Sequence, residues 1–361
     1  MRFSLYTEMQ LHGDRSPQRM YAEVLEQIEN ADRLGYDCYA SIEHFFFPKF
    51  SISAHPTALF AAAAQRTRTI NFRTMLHVLP YHNPMVLASE IAVTDILTGG
   101  RYEWGVGRGH GWIPEKAGGT LDEHARPRYE EAVDLLFTAL GNERFSHSGE
   151  YFEVADSHVV PFPTRKFRIF VGGTSDRTYE LAAEHGWGVA VPPLLPYKAL
   201  EEQLDLYRAK CAEHGTTPDI VWIHACHLDD DRETALREAR DWVTKFIYGN
   251  SSPLLEYEKP SADALVKAGY GFYAAGIMEQ LAEVPFEQLV EEDYVWVGTP
   301  DDILTRIEET RKICPGISEI GITVNAGGAP HWMAIKNQEL FAASVIPRVP
   351  ADEPVGVAQV A

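Results

Sequence analysis

Cysteine is scarce in this chain. Cys38, Cys211, Cys226 and Cys314 are the four in 361 residues. They lie far apart with no C-x-x-C pair, which excludes a disulfide scaffold and a zinc ribbon. Sparse, scattered thiols suit a reducing compartment, so a cytoplasmic location is expected. Basic residues are also in deficit, 32 against 52 acidic ones, for a formal net charge of −20. That balance disfavours nucleic acid and anionic membrane as partners. No stretch approaches the roughly 20 apolar residues of a membrane span. Residues 1–9 read as a strand and lack the basic start and apolar run of a signal peptide. No G-x-S-x-G elbow offers a serine nucleophile. Neither H-x-H nor H-E-x-x-H spacing is found, so no metal is expected, although His44, His77, His82 and His110 all fall near predicted strand ends.

What is present is a regular alternation. Hydrophobic residues make up 45% of the chain, enough for a sizeable core. Strand patterns at 2–7, 37–41, 70–78, 102–106, 169–172, 188–191, 220–227 and 318–324 alternate with helical patterns. Eight strand–helix units predict an α/β chain closed into a (β/α)8 barrel, with a doubly wound open sheet as the rival. Two stretches interrupt the repeat, 109–165 and 248–297. The first holds a predicted helix at 126–140 and a hairpin at 145–154. The second has no clear place. With no composition break, one domain is expected over 1–347, followed by a frayed tail at 348–361.

Glu43-His44-Phe45 directly follows the second strand. Carboxyl ends of barrel strands are where such folds keep their chemistry, so a carboxylate and an imidazole there are candidates for proton transfer. Two glycine-rich segments could meet a phosphorylated cofactor. Gly105-Val106-Gly107-Arg108-Gly109 ends the fourth strand. It fails the G-x-G-x-x-G pattern, because His110 and Trp112 stand where a third glycine would be needed. Its glycines could instead admit a flat ring, with Arg108 meeting a phosphate; a tight turn with a surface arginine is the alternative. Gly172-Gly173-Thr174-Ser175 leads into a helix whose first amides could hold phosphate, or Ser175 or Asp176 could merely cap that helix. Arg126 and Arg128 could add charge. Phe45, Phe46, Phe47, Tyr81, Trp112, Trp187 and Trp332 fall where loops would cover the barrel mouth and suit an apolar pocket.

These segments, with Leu79-Pro80 and Pro84, Gly99-Gly100-Arg101-Tyr102, Arg128-Tyr129-Glu130-Glu131-Ala132, Gly149-Glu150-Tyr151-Phe152, the Ala182–Trp187 run and Gly298-Thr299-Pro300, resemble the bacterial luciferase-like flavin-dependent monooxygenases in order and spacing. The resemblance implies a (β/α)8 barrel that forms a homodimer through residues 55–66 and 84–97. It implies reduced FMN supplied by a separate flavin reductase, or a reduced deazaflavin and hydride transfer. His44 would support catalysis, with Glu43 beside it. A cis peptide would lie under the ring at Thr74-Met75 or Met75-Leu76. The phosphate would be held by Arg108, by the loop from Gly173 through Thr174, Ser175 and Thr178, and by Arg126 or Arg128. Gly172, Thr74, Met75 and Gly107 would line the same site.

Two departures bear on the activity. Gly107 stands where luciferases carry a reactive cysteine, and Phe45 where they carry a second histidine. Hydroxylation or Baeyer–Villiger oxidation of a small apolar or semi-polar molecule, such as an aldehyde, ketone or terpenoid, is therefore expected rather than light emission. A non-catalytic flavin-binding protein and a metal-dependent barrel hydrolase are the further alternatives.

Overall fold

The computed structural model describes residues 1–350 apart from 174, 257 and 324. Eleven strands are formed among these described residues: β1 (Arg2–Thr7), β2 (Cys38–Ser41), β3 (Asn71–Val78), β4 (Tyr102–Gly107), β5 (Phe145–Ser148), β6 (Glu153–Ser157), β7 (Ile169–Val171), β8 (Gly188–Val191), β9 (Ile220–Leu228), β10 (Val295–Gly298) and β11 (Ile317–Thr323). All pairings in the large sheet are parallel, in the order β9-β11-β1-β2-β3-β4-β7-β8, and β8 pairs back onto β9. The sheet therefore closes into the expected eight-stranded barrel, and the open doubly wound sheet is set aside.

Local chemistry sets the connecting helices. Ser16 caps the helix Pro17–Leu34 by accepting from the Arg19 amide at 3.2 Å, and Gly35, at φ 82°, ends it in the left-handed conformation that glycine adopts without penalty. Asn83 caps Pro84–Leu97, and Thr299 with Asp302 forms a capping box on Pro300–Ile313. The main core lies between the barrel and this helical layer. A smaller cluster, including Tyr6, Met75, Phe170 and Ile223, fills the barrel itself.

The first interruption contains the helices Ile113–Ala117 and Ala125–Gly141 and the antiparallel β5–β6 hairpin. The second holds more order than its sequence suggested. The helix Arg232–Glu256 runs well past the expected end at 246, through Gly249, Ser251, Ser252 and Pro253, residues that usually break a helix. Four short helices follow, Ala262–Lys267, Gly271–Ala274, Ile277–Leu281 and Phe286–Glu291. Then β10 pairs with the carboxyl half of β9, where β8 has already ended. This ninth strand is too short to show a period of its own. The expected tail at 348–361 lies mostly outside the described residues.

Candidate active site

A cleft with about 1370 Å³ of empty space, part of it open to solvent, lies at the carboxyl ends of the barrel strands. Tyr6 and Glu8 reach it from β1, His44 from β2, Met75 and Leu76 from β3, Arg108 and His110 from β4, and Ser175 from β7. Asn250, Tyr270, Phe272, Tyr273 and Met278 close it from the second interruption.

Glu43 and His44, adjacent in sequence, have unlike roles. The Glu43 carboxylate accepts from His77 Nδ1 at 2.8 Å, from His82 Nε2 at 2.6 Å and from the Val78 amide at 3.1 Å. Burial alone would raise its pKa, but the hydrogen bonds and charge of His77 and His82 outweigh it and hold the carboxyl down to about 2. Glu43 thus stays ionised and ties β2 to the loop after β3, which makes it a positioning residue. It does not hold the His44 ring among the described contacts. The three side chains place one ligand-type atom each within 4.8 Å of one another, as a cation site would. Those same atoms are already joined by hydrogen bonds.

His44 packs edge-on against Phe50, with ring centroids 4.1 Å apart, and stacks near Phe47. Its Nε2 is buried without a partner. Burial first, then the nearby His110, pushes its pKa down to about 3, so the ring is neutral at working pH.

A second polar group comes from Glu8, which the sequence reading passed over as the residue after the first strand. Its carboxyl accepts from Asn250 Nδ2 at 2.9 Å, Gln10 Nε2 at 3.0 Å and Tyr6 Oη at 3.3 Å. Burial outweighs these three neutral donors and raises its pKa to about 8. Gly249 makes the arrangement possible. A Cβ there would come within 2.5 Å of the Lys49 carbonyl and 2.7 Å of Gln10 Nε2, so only glycine lets the long helix bring Asn250 against Glu8.

A third group gathers hydroxyls and guanidinium. Arg126 Nη2 donates to Ser175 Oγ at 2.9 Å, and Ser175 Oγ lies 2.9 Å from Thr178 Oγ1. Ser175 sits at the N-cap of Asp176–His185 without making the capping hydrogen bond. Its hydroxyl is instead turned to Arg126 and Thr178. Gly172 and Gly173 also line the cleft; Thr174 lies outside the described residues. Arg128 does not line the cleft. It donates to the Thr120 carbonyl at 3.4 Å and lies over the Tyr151 ring, because on the helix it stands two residues, more than half a turn, from Arg126.

Arg108 does line the cleft, but two of its donors are spent on the Ala268 and Gly269 carbonyls at 2.7 Å each, and it stacks on Tyr270. The cis peptide is Met75-Leu76. Thr74 points away from the cleft, bonded to Tyr102 Oη at 2.7 Å, and Leu76 lines the cleft in its place. A Cβ on Gly107 or Gly172 would come within 2.8 or 2.9 Å of Leu76 Cδ1. These glycines make room for Leu76 rather than open space for a flat ring. The aromatics expected over the mouth are not among those lining it. Phe46 is 69% and Trp332 55% exposed, while Trp112 and Trp187 are buried. Phe50, Tyr129, Tyr270, Phe272 and Tyr273 take that place, and the spacing of aromatics in loops carried no signal for which would turn inward.

The residues present fit a flavin phosphate: Arg126, Ser175 and Thr178 form a compact set of donors at a helix start. Solved structures share the fold. The oxygenating constituent of 3,6-diketocamphane monooxygenase from Pseudomonas putida, in complex with FMN, superposes with a TM-score of 0.75 at 20% identity, covering 98% of this chain and 99% of that one. An F420-dependent secondary alcohol dehydrogenase in complex with an F420–acetone adduct gives 0.71 at 15% identity, covering 95% and 98%. In sequence, the 4-hydroxyprotoasukamycin monooxygenase of Streptomyces nodosus subsp. asukaensis is 29% identical over 339 residues, 90% of this chain and 85% of its own. Residues 1–315 match the family described as luciferase-like monooxygenase, and the chain belongs to that family of oxidoreductases.

Proposed function

We propose that this protein is the oxygenase of a two-component system, using reduced FMN from a separate flavin reductase, and dioxygen, to hydroxylate or Baeyer–Villiger-oxidise a small organic molecule. The observation that carries the choice of cofactor is the compact anion site. Among the described residues lining the cleft, the cationic side chains are Arg108 and Arg126. That complement suits one phosphate. A deazaflavin carries a longer anionic tail and needs a further cationic path, which the described residues lining the cleft do not offer. Since similar barrels are seen with either cofactor, the fold does not make this choice and the side chains must.

Reduced flavin, when bound, would supply two electrons to dioxygen. The chain's own work would be to hold the phosphate with Arg126, Ser175 and Thr178, to offer the ring apolar contact from Met75 and Leu76, and to exclude water with Phe272, Tyr273 and Met278. His44, neutral and with its Nε2 unpartnered, would hold or relay a proton near the reacting atoms.

Anaerobic titration with reduced FMN, followed by mixing with aerated buffer in a stopped-flow instrument, tests this reading. A delay before oxidised flavin forms, longer than for free flavin, supports it. No binding, or oxidation at the free-flavin rate, overturns it and favours the deazaflavin enzyme. His44→Ala is expected to cut turnover about 100-fold or more, the usual scale for general acid–base groups, with little change in FMN affinity.

A homodimer is part of the proposal. Val86, Val93, Ile96 and Leu97 are exposed on Pro84–Leu97, an apolar helix face that a second copy would cover. Light scattering at micromolar concentration gives the mass directly. Among the described residues no helix is long and apolar enough to cross a membrane.

A further inference from the structure

We propose that His110 and Glu8, which line one cleft with Asn250, form a hydrogen-bonding face that selects a neutral substrate carrying a hydroxyl group on an aromatic frame. The inference rests on the flavin reading for the reaction, but not for the binding preference.

Asn250 holds the Glu8 side of this face in place. Its Nδ2 donates to Glu8 Oε2 at 2.9 Å and to the Phe246 carbonyl at 3.0 Å, which fixes the side chain. His110 lines the same cleft, and its Nε2 has no partner and almost no exposed surface. Burial drives the His110 pKa down to about 4, so the ring is neutral. In the proposed face its one proton sits on Nδ1, and Nε2 is the acceptor that lacks a donor. A buried acceptor left unpaired is costly, and a ligand O–H would relieve that cost.

Glu8 is the complement. Every partner of its carboxyl is itself a donor: the Asn250 and Gln10 amides and the Tyr6 hydroxyl. A carboxyl held neutral by burial keeps a proton, and apart from the Tyr6 oxygen these partners offer it no acceptor. The oxygen of a substrate hydroxyl can take it. One hydroxyl can thus donate to His110 and accept from Glu8. The surrounding walls are aromatic. Phe50 lies 4.8 Å from His110 between ring centroids, Tyr273 lies 5.6 Å away, and Phe272 lines the same cleft. An anionic substrate finds no free cation here, since Arg108 is engaged by the Ala268 and Gly269 carbonyls and Arg126 is taken up by the cofactor phosphate in the proposed reading.

The test uses three bicyclic probes of similar size on the full-length protein: 2-naphthol, its methyl ether 2-methoxynaphthalene, and 2-naphthoate. Naphthol fluorescence reports both binding and hydrogen bonding. Naphthol is expected to bind about tenfold tighter than the ether, the scale of one neutral hydrogen bond to an otherwise unpaired group, and naphthoate weakest of all. In His110→Leu the naphthol advantage should vanish. In His110→Gln, whose amide oxygen can accept, it should return in part. FMN binding and circular dichroism confirm that each variant is folded. Equal affinity for naphthol and its ether in the natural protein, no binding of either, or an advantage that survives His110→Leu in a folded variant would each overturn the proposal. Loss of FMN binding by the natural protein would instead defeat the flavin reading, and a naphthol preference found there would leave this inference standing.

Discussion

The two ends of the barrel hold buried charge in opposite ways. At the amino end, Arg73 donates to Glu103 Oε2 from Nε at 2.8 Å and to Glu319 Oε1 from Nη1 at 2.7 Å. Arg168 joins Glu319 at 2.8 Å and Asp219 at 2.8 Å, and Arg2 reaches Glu103 at 3.1 Å. The arginines outweigh burial, so the Glu103 carboxyl falls to about 2 and Glu319 also lies well below its ordinary value. At the carboxyl end, Glu8 has only neutral donors, and His44 and His110 each leave a nitrogen unpaired. Burial wins there, and all three groups are pushed toward neutrality. The amino end spends its polar groups on one another and is stable. The carboxyl end, apart from Glu43, which His77 and His82 keep ionised, leaves polar groups unpaired.

The largest effect expected from breaking this contrast is at the amino end. Arg73→Met would leave Glu103 and Glu319 with fewer compensating charges in the barrel interior. Breaking a buried ion pair on one side typically costs about 3–5 kcal/mol, and urea denaturation should show a loss of that size. A loss under about 1 kcal/mol, the scale of an exposed pair, would mean that Arg168 and Arg2 suffice and that the network is redundant.

The next effect is one of sign. Glu103 has a depressed folded pKa, so its stabilisation is present above about 4.5 and is lost as pH falls toward 2. Glu8 has a raised folded pKa, near 8. Between 4.5 and 8 the folded chain keeps a proton that the unfolded chain has released. The Glu8 contribution is therefore full below about 4.5 and falls as pH rises, by about 1.4 kcal/mol per pH unit, until it is gone above about 8. Glu8→Gln should remove that slope. Denaturation midpoints of both proteins from pH 5 to 9 should converge at the acid end and separate at the alkaline end, with the variant the more stable. Parallel curves would show that Glu8 ionises normally.

The same contrast explains what the sequence disclosed. The eight strands were legible because barrel strands such as Ile220–Leu228 are near-continuous apolar runs separated by amphipathic helices. Glu43 and His44 were legible as a site because they follow a strand directly. Their division of labour was not, since it depends on His77 and His82, more than thirty residues away. Glu8 was hidden for a related reason. A lone acid after an edge-of-pattern strand reads as surface, and only the Gly249 contact with the loop after β1 puts Asn250 beside it. Tyr270, Phe272 and Tyr273 belong to a stretch of short helices, each too brief for its apolar period to register.

The smallest difference proposed is also the sharpest, since it compares two arginines two residues apart on one helix. Arg126 bonds Ser175 at the cleft, whereas Arg128 bonds the Thr120 carbonyl and lies over Tyr151. Sequence alone could not separate them. Arg126→Ala should weaken FMN binding by roughly 10- to 100-fold, the equivalent of one charge-assisted hydrogen bond of about 1.5–3 kcal/mol. Arg128→Ala should change it less than about twofold, as expected for a residue outside the site. Flavin fluorescence titration measures both. If both variants weaken FMN equally, the anionic tail of the cofactor passes Arg126 and runs toward Tyr151. The cationic path would then be longer than one phosphate requires, and the balance between FMN and a deazaflavin would shift to the latter. If only Arg126 matters, the short site stands, and with it the choice of cofactor.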